Sequence, residues 1–217
     1  MKLIDLSQPI FDNCPNCPAD PPVRVEVVAD HPGDGWRVEK LTLTSHTGSH
    51  VDAPFHKLAD GATVDQLPLA SFVGQAVLAD LRDSHPGLPF TSSMLTRKLS
   101  GELEDKIVLI ATGWGERRAK TEEWLRFPPY VSPEGAEWLV EQKVRAVGID
   151  HYSIGGAREE QSRLTHEILL RAKLWIVEDL YFPPELYGLP QPFTFWCLPI
   201  HLKGQGGAFC RPVAVLP

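Results

Sequence analysis

Arg145-Ala-Val-Gly-Ile-Asp150, Thr165-His-Glu-Ile-Leu-Leu-Arg-Ala-Lys173 and Leu174-Trp-Ile-Val-Glu178 decide the fold class. They read in turn as a short apolar strand, a helix and a second apolar strand. Apolar runs of this kind suit strands covered on both faces. Just upstream, Ser132 suits a helix cap and Pro133 the first helical position. Ala136, Leu139, Val140 and Val144 then recur at helical spacing. Further out, residues 106–112 and 75–80 are two more short apolar runs. Residues 24–28 and 38–45 alternate apolar and polar side chains, as half-buried strands do. Residues 193–202 and 212–216 close the chain as strands. Strands dominate early and a strand–helix–strand unit comes late, which predicts a mixed α/β layered fold. The expectation is one compact domain over residues 1–217.

Composition narrows the function classes. Of 217 residues, 43% are apolar and 23% charged, with a formal net charge of -7. No run of Lys or Arg stands out, so nucleic acid and anionic membranes are poor partners. No stretch approaches the roughly 18 apolar residues of a membrane span, and Met1–Ser7 lacks a signal-peptide core. These features predict a cytoplasmic protein. Cys14-Pro-Asn-Cys17 has the spacing of a redox motif or half a zinc site, but Pro18, Pro21 and Pro22 follow it. A redox motif needs a helix there, so a proline-rich loop with two thiols is the expectation. A disulfide framework is not expected in a chain of this size without a secretory signal.

The chemistry concentrates in Ser45-His-Thr-Gly-Ser-His-Val-Asp-Ala-Pro-Phe-His56, which holds three of the eight histidines in the chain. Imidazole and carboxylate suit Zn, Mn, Fe or Co. Gly48, Thr47, Val51 and Pro54 argue against a helix. In an extended chain His50 and Asp52 share one face, about 6–7 Å apart, close enough to reach one ion. His46 and His56 would lie about 33 Å apart in a straight strand, so the chain must turn, at Gly48 and at Ala53-Pro54. His166 sits early in the 165–173 helix, and Glu178 ends an apolar strand. A carboxylate at the tip of a buried strand needs a partner or an ion.

These residues resemble the H-T-G-T-H-x-D-A-P-x-H signature of the cyclase-like metal hydrolases, a family of bacterial kynurenine formamidases, isatin hydrolases and some lactone hydrolases. The resemblance runs nearly end to end. Asp5-Leu-Ser-Gln-Pro is similar to the family's opening strand, Thr112-Gly-Trp114 to its T-G-W segment, and Val147-Gly-Ile-Asp150 to its G-I-D strand. The spacing of His166 and Glu178 resembles its late ligand pair. The resemblance implies a swivelling β/β/α domain with a mixed sheet, in a homodimer or homotetramer. It implies that His46, His50 and Asp52 hold one ion, that Asp52 and Glu178 bridge to a second bound also by His166, and that His56 is the general acid/base. Zn2+ is the expected ion, one or two per chain, with Mn2+ the alternative. Two departures concern the substrate. Cys17 stands where formamidases carry an aromatic residue, with Ala19 in place of Gly, and Ser153-Ile-Gly155 lacks the acidic residue of the usual S-I-D.

The function expected is hydrolysis of an amide in a small aromatic substrate by metal-activated water, of the N-formylkynurenine type. His56 would carry the proton to the leaving nitrogen, as a group with pKa near about 6.5 can. A cyclic amide such as isatin, or a lactone, is the alternative. Cys17, Phe55 and Trp114 are the candidate substrate residues, and Trp36, Phe182 and Trp196 could add to a flat apolar wall. Two other classes stand beside this one: a metal-binding protein without catalysis, and a thiol redox protein using Cys14 and Cys17. His31, His85, His151 and His201 have no comparable neighbours, although His151, just past a strand end, could line the site.

Overall fold

A computed structural model describes residues 1–216. In chain order the strands are β1 (Lys2–Asp5), β2 (Arg24–Ala29), β3 (Val38–Thr42), β4 (His50–Asp52), β5 (Val73–Asp80), β6 (Pro89–Phe90) and β7 (Ile107–Ala111). They continue with β8 (Tyr130–Val131), β9 (Ala146–Ile149), β10 (Trp175–Glu178), β11 (Phe193–Trp196), β12 (Gly207–Phe209) and β13 (Val213–Leu216). The α-helices are α1 (Ser92–Lys98), α2 (Glu122–Arg126), α3 (Pro133–Glu141) and α4 (Glu159–Arg171).

Nine strands form one sheet in the order β1-β13-β11-β5-β7-β9-β10-β4-β12. Its centre, β5-β7-β9-β10, is parallel. Antiparallel strands extend it on both sides. The sheet is therefore mixed, as predicted, and its strand order is new information. β7 shows why its centre reads as unbroken apolar sequence. Ile107, Leu109 and Ala111 enter one core, while Val108 and Ile110 enter the other. The second core is closed by Leu95 of α1, Ala136 and Leu139 of α3, and Leu169 and Leu170 of α4. Each of these leucines taken out of water stabilises the fold by roughly 1.5–3 kcal/mol. Ser132 caps α3 as expected, its Oγ accepting from Gly135 N.

Several boundaries differ from expectation. α4 begins at Glu159, not at 165, because its first turns, Glu159-Glu-Gln-Ser-Arg163, are polar and show no apolar stripe. His166 therefore lies in the middle of the helix. β3 stops at Thr42, before the turn that leads into His46. β11 stops at Trp196, and beyond it only a single bridge, Pro199 to Cys210, continues the pairing. The β2–β3 hairpin forms a separate two-stranded sheet, with Trp36 73% exposed at its turn. No helix among the described residues is long and apolar enough to cross a membrane.

Candidate metal centre and active-site cavity

β4 is only three residues long, but its pairing positions the centre. Val51 points into the first core, so His50 and Asp52 face the other way. β10 runs antiparallel beside it and sets Glu178 opposite His50. α4 packs over this face and delivers His166. The chain turns at both expected places. Gly48 has φ +61, and a side chain there would meet Ile10 Cγ1 at 2.7 Å. Pro54–His56 winds into a 3-10 turn with Pro at its start.

Six side chains gather in one small region. His46 Nδ1 lies 2.7 Å from Asp52 Oδ1. His50 Nε2 lies 3.4 Å from both Asp52 Oδ1 and Glu178 Oε2. His166 Nε2 lies 3.1 Å from Glu178 Oε1 and 3.6 Å from Asp52 Oδ2. The ring of His56 sits 4.1 Å from that of His46 and 5.7 Å from that of His166, centre to centre. The donor atoms of His46, Asp52 and His56 fall within 4.8 Å of one another, as do those of His50, Asp52 and Glu178.

The donor set fits a divalent ion. The backbone sets the two buried imidazoles: His50 Nδ1 donates to Gly48 O at 2.8 Å, and His166 Nδ1 to Ser162 O at 2.6 Å. In the neutral tautomer so fixed, each Nε2 presents a lone pair to the centre. His50 Nε2 and Asp52 Oδ2 are buried without a hydrogen-bond partner among the described residues. Orphaned polar atoms are costly and call for a ligand.

The electrostatics agree. Burial alone would lower the pKa of His166, but Asp52 and Glu178 carry it up to about 10. Burial likewise opposes a charge on His50, and the same carboxylates overcome it. Two buried carboxylates thus demand positive charge, which protons supply in the metal-free protein. An ion must displace those protons. His166 holds its proton below pH 10, so metal affinity is expected to rise with pH across the neutral range. Metal titrations at several pH values check this, with a flat response counting against it.

A cavity of about 260 Å³ opens onto the centre. Cys17, Ala19, Asp20, Lys57, Tyr152, Ser153 and Ser162 line it together with His46, His50, His56, His166 and Glu178. Of the three candidate substrate residues, Cys17 lines this cavity. Phe55 and Trp114 are not among its lining residues, which corrects that expectation. Phe55, one position before His56 on a tight turn, is 41% exposed. Trp114 is buried against Trp124 and Tyr152. Trp36 is exposed on the hairpin and Phe182 belongs to the core, while Trp196 does not line the cavity. The flat surface comes instead from Tyr152, two residues past Asp150. The rule that sites lie beyond strand ends pointed at this segment but at the wrong side chain. His151 is buried, its Nε2 donating to Trp124 O at 3.1 Å. The missing acid at Gly155 also has a steric cause, since a side chain there would meet Ser162 Cα at 2.5 Å.

Two buried carboxylates hold the surroundings. Asp150 accepts from Thr112 N (2.9 Å), Thr112 Oγ1 (2.7 Å), Gly113 N (2.9 Å) and Gly115 N (3.2 Å). It fixes the loop carrying Trp114. Asp179, next to Glu178, forms an ion pair with Arg118 at 2.8 Å, the two side chains 1% and 6% exposed. Arg118 also donates to Pro9 O and Pro15 O, tying down the segment that carries Cys17. Arg118→Ala is expected to cost about 3–5 kcal/mol, because it strands a buried carboxylate. Urea unfolding measures this, and a loss under about 1 kcal/mol would mean the pair behaves like an exposed one.

Comparison with known proteins extends these findings. The Cyclase family model matches residues 4–155. A kynurenine formamidase of Geobacillus thermodenitrificans is 32% identical over 96% of this chain and 94% of its own length. One from Bacillus cereus is 28% identical over 97% of this chain and 95% of its own. An isatin hydrolase bound to the product analogue thioisatinate shares the fold, with TM-score 0.87 at 19% identity over all of this chain and 92% of the other. A structure described as a potential metal-dependent hydrolase with cyclase activity gives TM-score 0.80 at 26% identity, covering 100% and 99%. The family match spans both the ligand strand β4 and the Asp150 loop, and the chain belongs to the Cyclase family.

Proposed function

We propose that this chain hydrolyses the C–N bond of a small aryl formamide of the N-formylkynurenine type. The chain is a hydrolase of non-peptide C–N bonds and depends on a metal. The observation that carries the reading is the convergence of His46, His50, Asp52, His166 and Glu178, with two orphaned donor atoms, on the floor of an open cavity. We assign these five residues to one or two Zn2+ ions, with Mn2+ the alternative. A bound divalent ion lowers the pKa of water from about 15.7 to about 7 and polarises the substrate carbonyl.

The protein's own groups do the rest. Burial pushes the pKa of His56 down to about 4, with His46 and His166 adding to it against the pull of Asp52. Its imidazole is then neutral at neutral pH, as a general base must be. His56 takes the proton from the attacking water and returns it to the leaving nitrogen. Tyr152 offers a flat surface for an aryl ring, and Cys17 leaves room where formamidases carry an aromatic side chain. We further assign the protein to the cytoplasm as one domain over residues 1–217. We also infer that it pairs with a second copy. The exposed Val28, Trp36 and Leu41 of the β2–β3 hairpin support pairing, because apolar surface of that kind marks contact sites.

Isatin or another cyclic amide is the second reading, favoured by Cys17. Hydrolysis assays on N-formylkynurenine and isatin with the metal-loaded enzyme separate the two. Formate release from the first is the expected result. Ring opening of isatin alone moves the assignment to cyclic amides, and turnover of neither overturns both.

A further inference from the structure

No sequence motif links Cys197 with Cys210, yet their Sγ atoms lie 3.4 Å apart. Cys14 and Cys17, which do have the redox spacing, are both free, and no sulfur–sulfur hydrogen bond joins them among the described residues. We propose that Cys197 and Cys210 form a redox-active dithiol that low-molecular-weight disulfides convert to an intramolecular disulfide, fastening β12 to the body of the sheet.

The backbone brings the two sulfurs together. Cys197 follows β11, and its N donates to Phe72 O at 2.9 Å. Cys210 follows β12, and its N donates to Ser49 O at 2.9 Å. Between them, Pro199 bridges to Cys210, and Ile200 N donates to Phe209 O at 3.1 Å. Closing a bond to the usual length of about 2.05 Å is then a matter of side-chain rotation within a held frame.

The two thiols differ in access, which orders the steps. Cys197 is buried and Cys210 half-buried. The Cys210 thiolate attacks an external disulfide such as oxidised glutathione and releases one glutathione thiolate. Cys197 then attacks Cys210 Sγ in the mixed disulfide, and its proton leaves with the second glutathione, which departs as the thiol. Two protein thiols are oxidised and one external disulfide is reduced. Cys210 is the point of entry because it is the thiol that an external disulfide can reach.

β12 is the outer strand of the sheet at the metal end. It pairs with β4, Gly207 lying opposite Asp52. A side chain at Gly207 would meet His46 Cε1 at 2.5 Å, so this strand is packed directly on a ligand candidate. A bond between Cys197 and Cys210 restrains the chain that leads into β12 and so braces the ligand strand.

The test uses the full-length enzyme with its metal. It is incubated with oxidised glutathione, alkylated, digested with trypsin and mapped by mass. Trypsin cuts at Lys203, between the two cysteines, so a bond keeps two peptides joined. The expected result is that joined pair, together with a Tm rise of about 5–10 °C that dithiothreitol reverses. C210S should show neither change. A lasting glutathione adduct on Cys210, a bond from Cys17 to either thiol, or both thiols still reduced after Cys17 has reacted would overturn the proposal. So would a cross-link that leaves Tm unchanged. The mapping on the unaltered protein decides the matter even if a variant fails to fold.

Discussion

Asp52→Asn is expected to strip the protein of bound divalent metal, and turnover with it. Asp52 lies at the middle of the cluster, in contact with His46, His50 and His166. Both donor groupings contain it. An amide keeps one oxygen acceptor but loses the charge, and its nitrogen cannot ligate. Metal affinity should fall by more than the 10–100-fold that outer-shell changes usually give. The fold should survive, because Asn keeps the shape of Asp and Glu178 still pairs with His50 and His166. Metal content by elemental analysis and circular dichroism on the same sample make the check. A folded variant with a full complement of metal would show that Asp52 is not the pivot of the site.

How much of this was legible in the sequence follows from periodicity. Strand alternation put His50 and Asp52 on one face, and β4 has them there. The apolar run before Glu178 reads as a buried strand, and β10 is one. Pairing between β4 and β10 is not legible, because nothing local in residues 50–52 names a partner as distant as Glu178, which lies opposite His50. Facing within turns is equally hidden. Phe55 and His56 are neighbours on a 3-10 turn, so one looks into the cavity and the other out. Aromatic character alone could not say which. Trp114 looked like substrate wall, but Asp150 grips its loop and draws the indole into the core beside Trp124. Tyr152 took its place, from a segment whose sequence advertised only a histidine. The early turns of α4 were missed because they are polar, and propensity without an apolar stripe is a weak signal.

His56→Ala is the change that separates a ligand from a proton carrier, and it is expected to lower turnover by about 10²–10⁴ while metal is retained. Both roles are geometrically open, since its donor atom lies within 4.8 Å of those of His46 and Asp52. Two observations favour the proton carrier. Neither of its ring nitrogens makes a hydrogen bond to the two carboxylates within the described residues, unlike His46 and His166. Burial also keeps its ring neutral at neutral pH, so it can accept a proton as water attacks. If that is its work, the loss falls on kcat, while KM and bound metal change little. If His56 is a ligand instead, metal content falls in step with activity, and added Zn2+ or Mn2+ restores both. The two outcomes differ in a quantity that needs no substrate, so the role of His56 can be decided before the substrate itself is known.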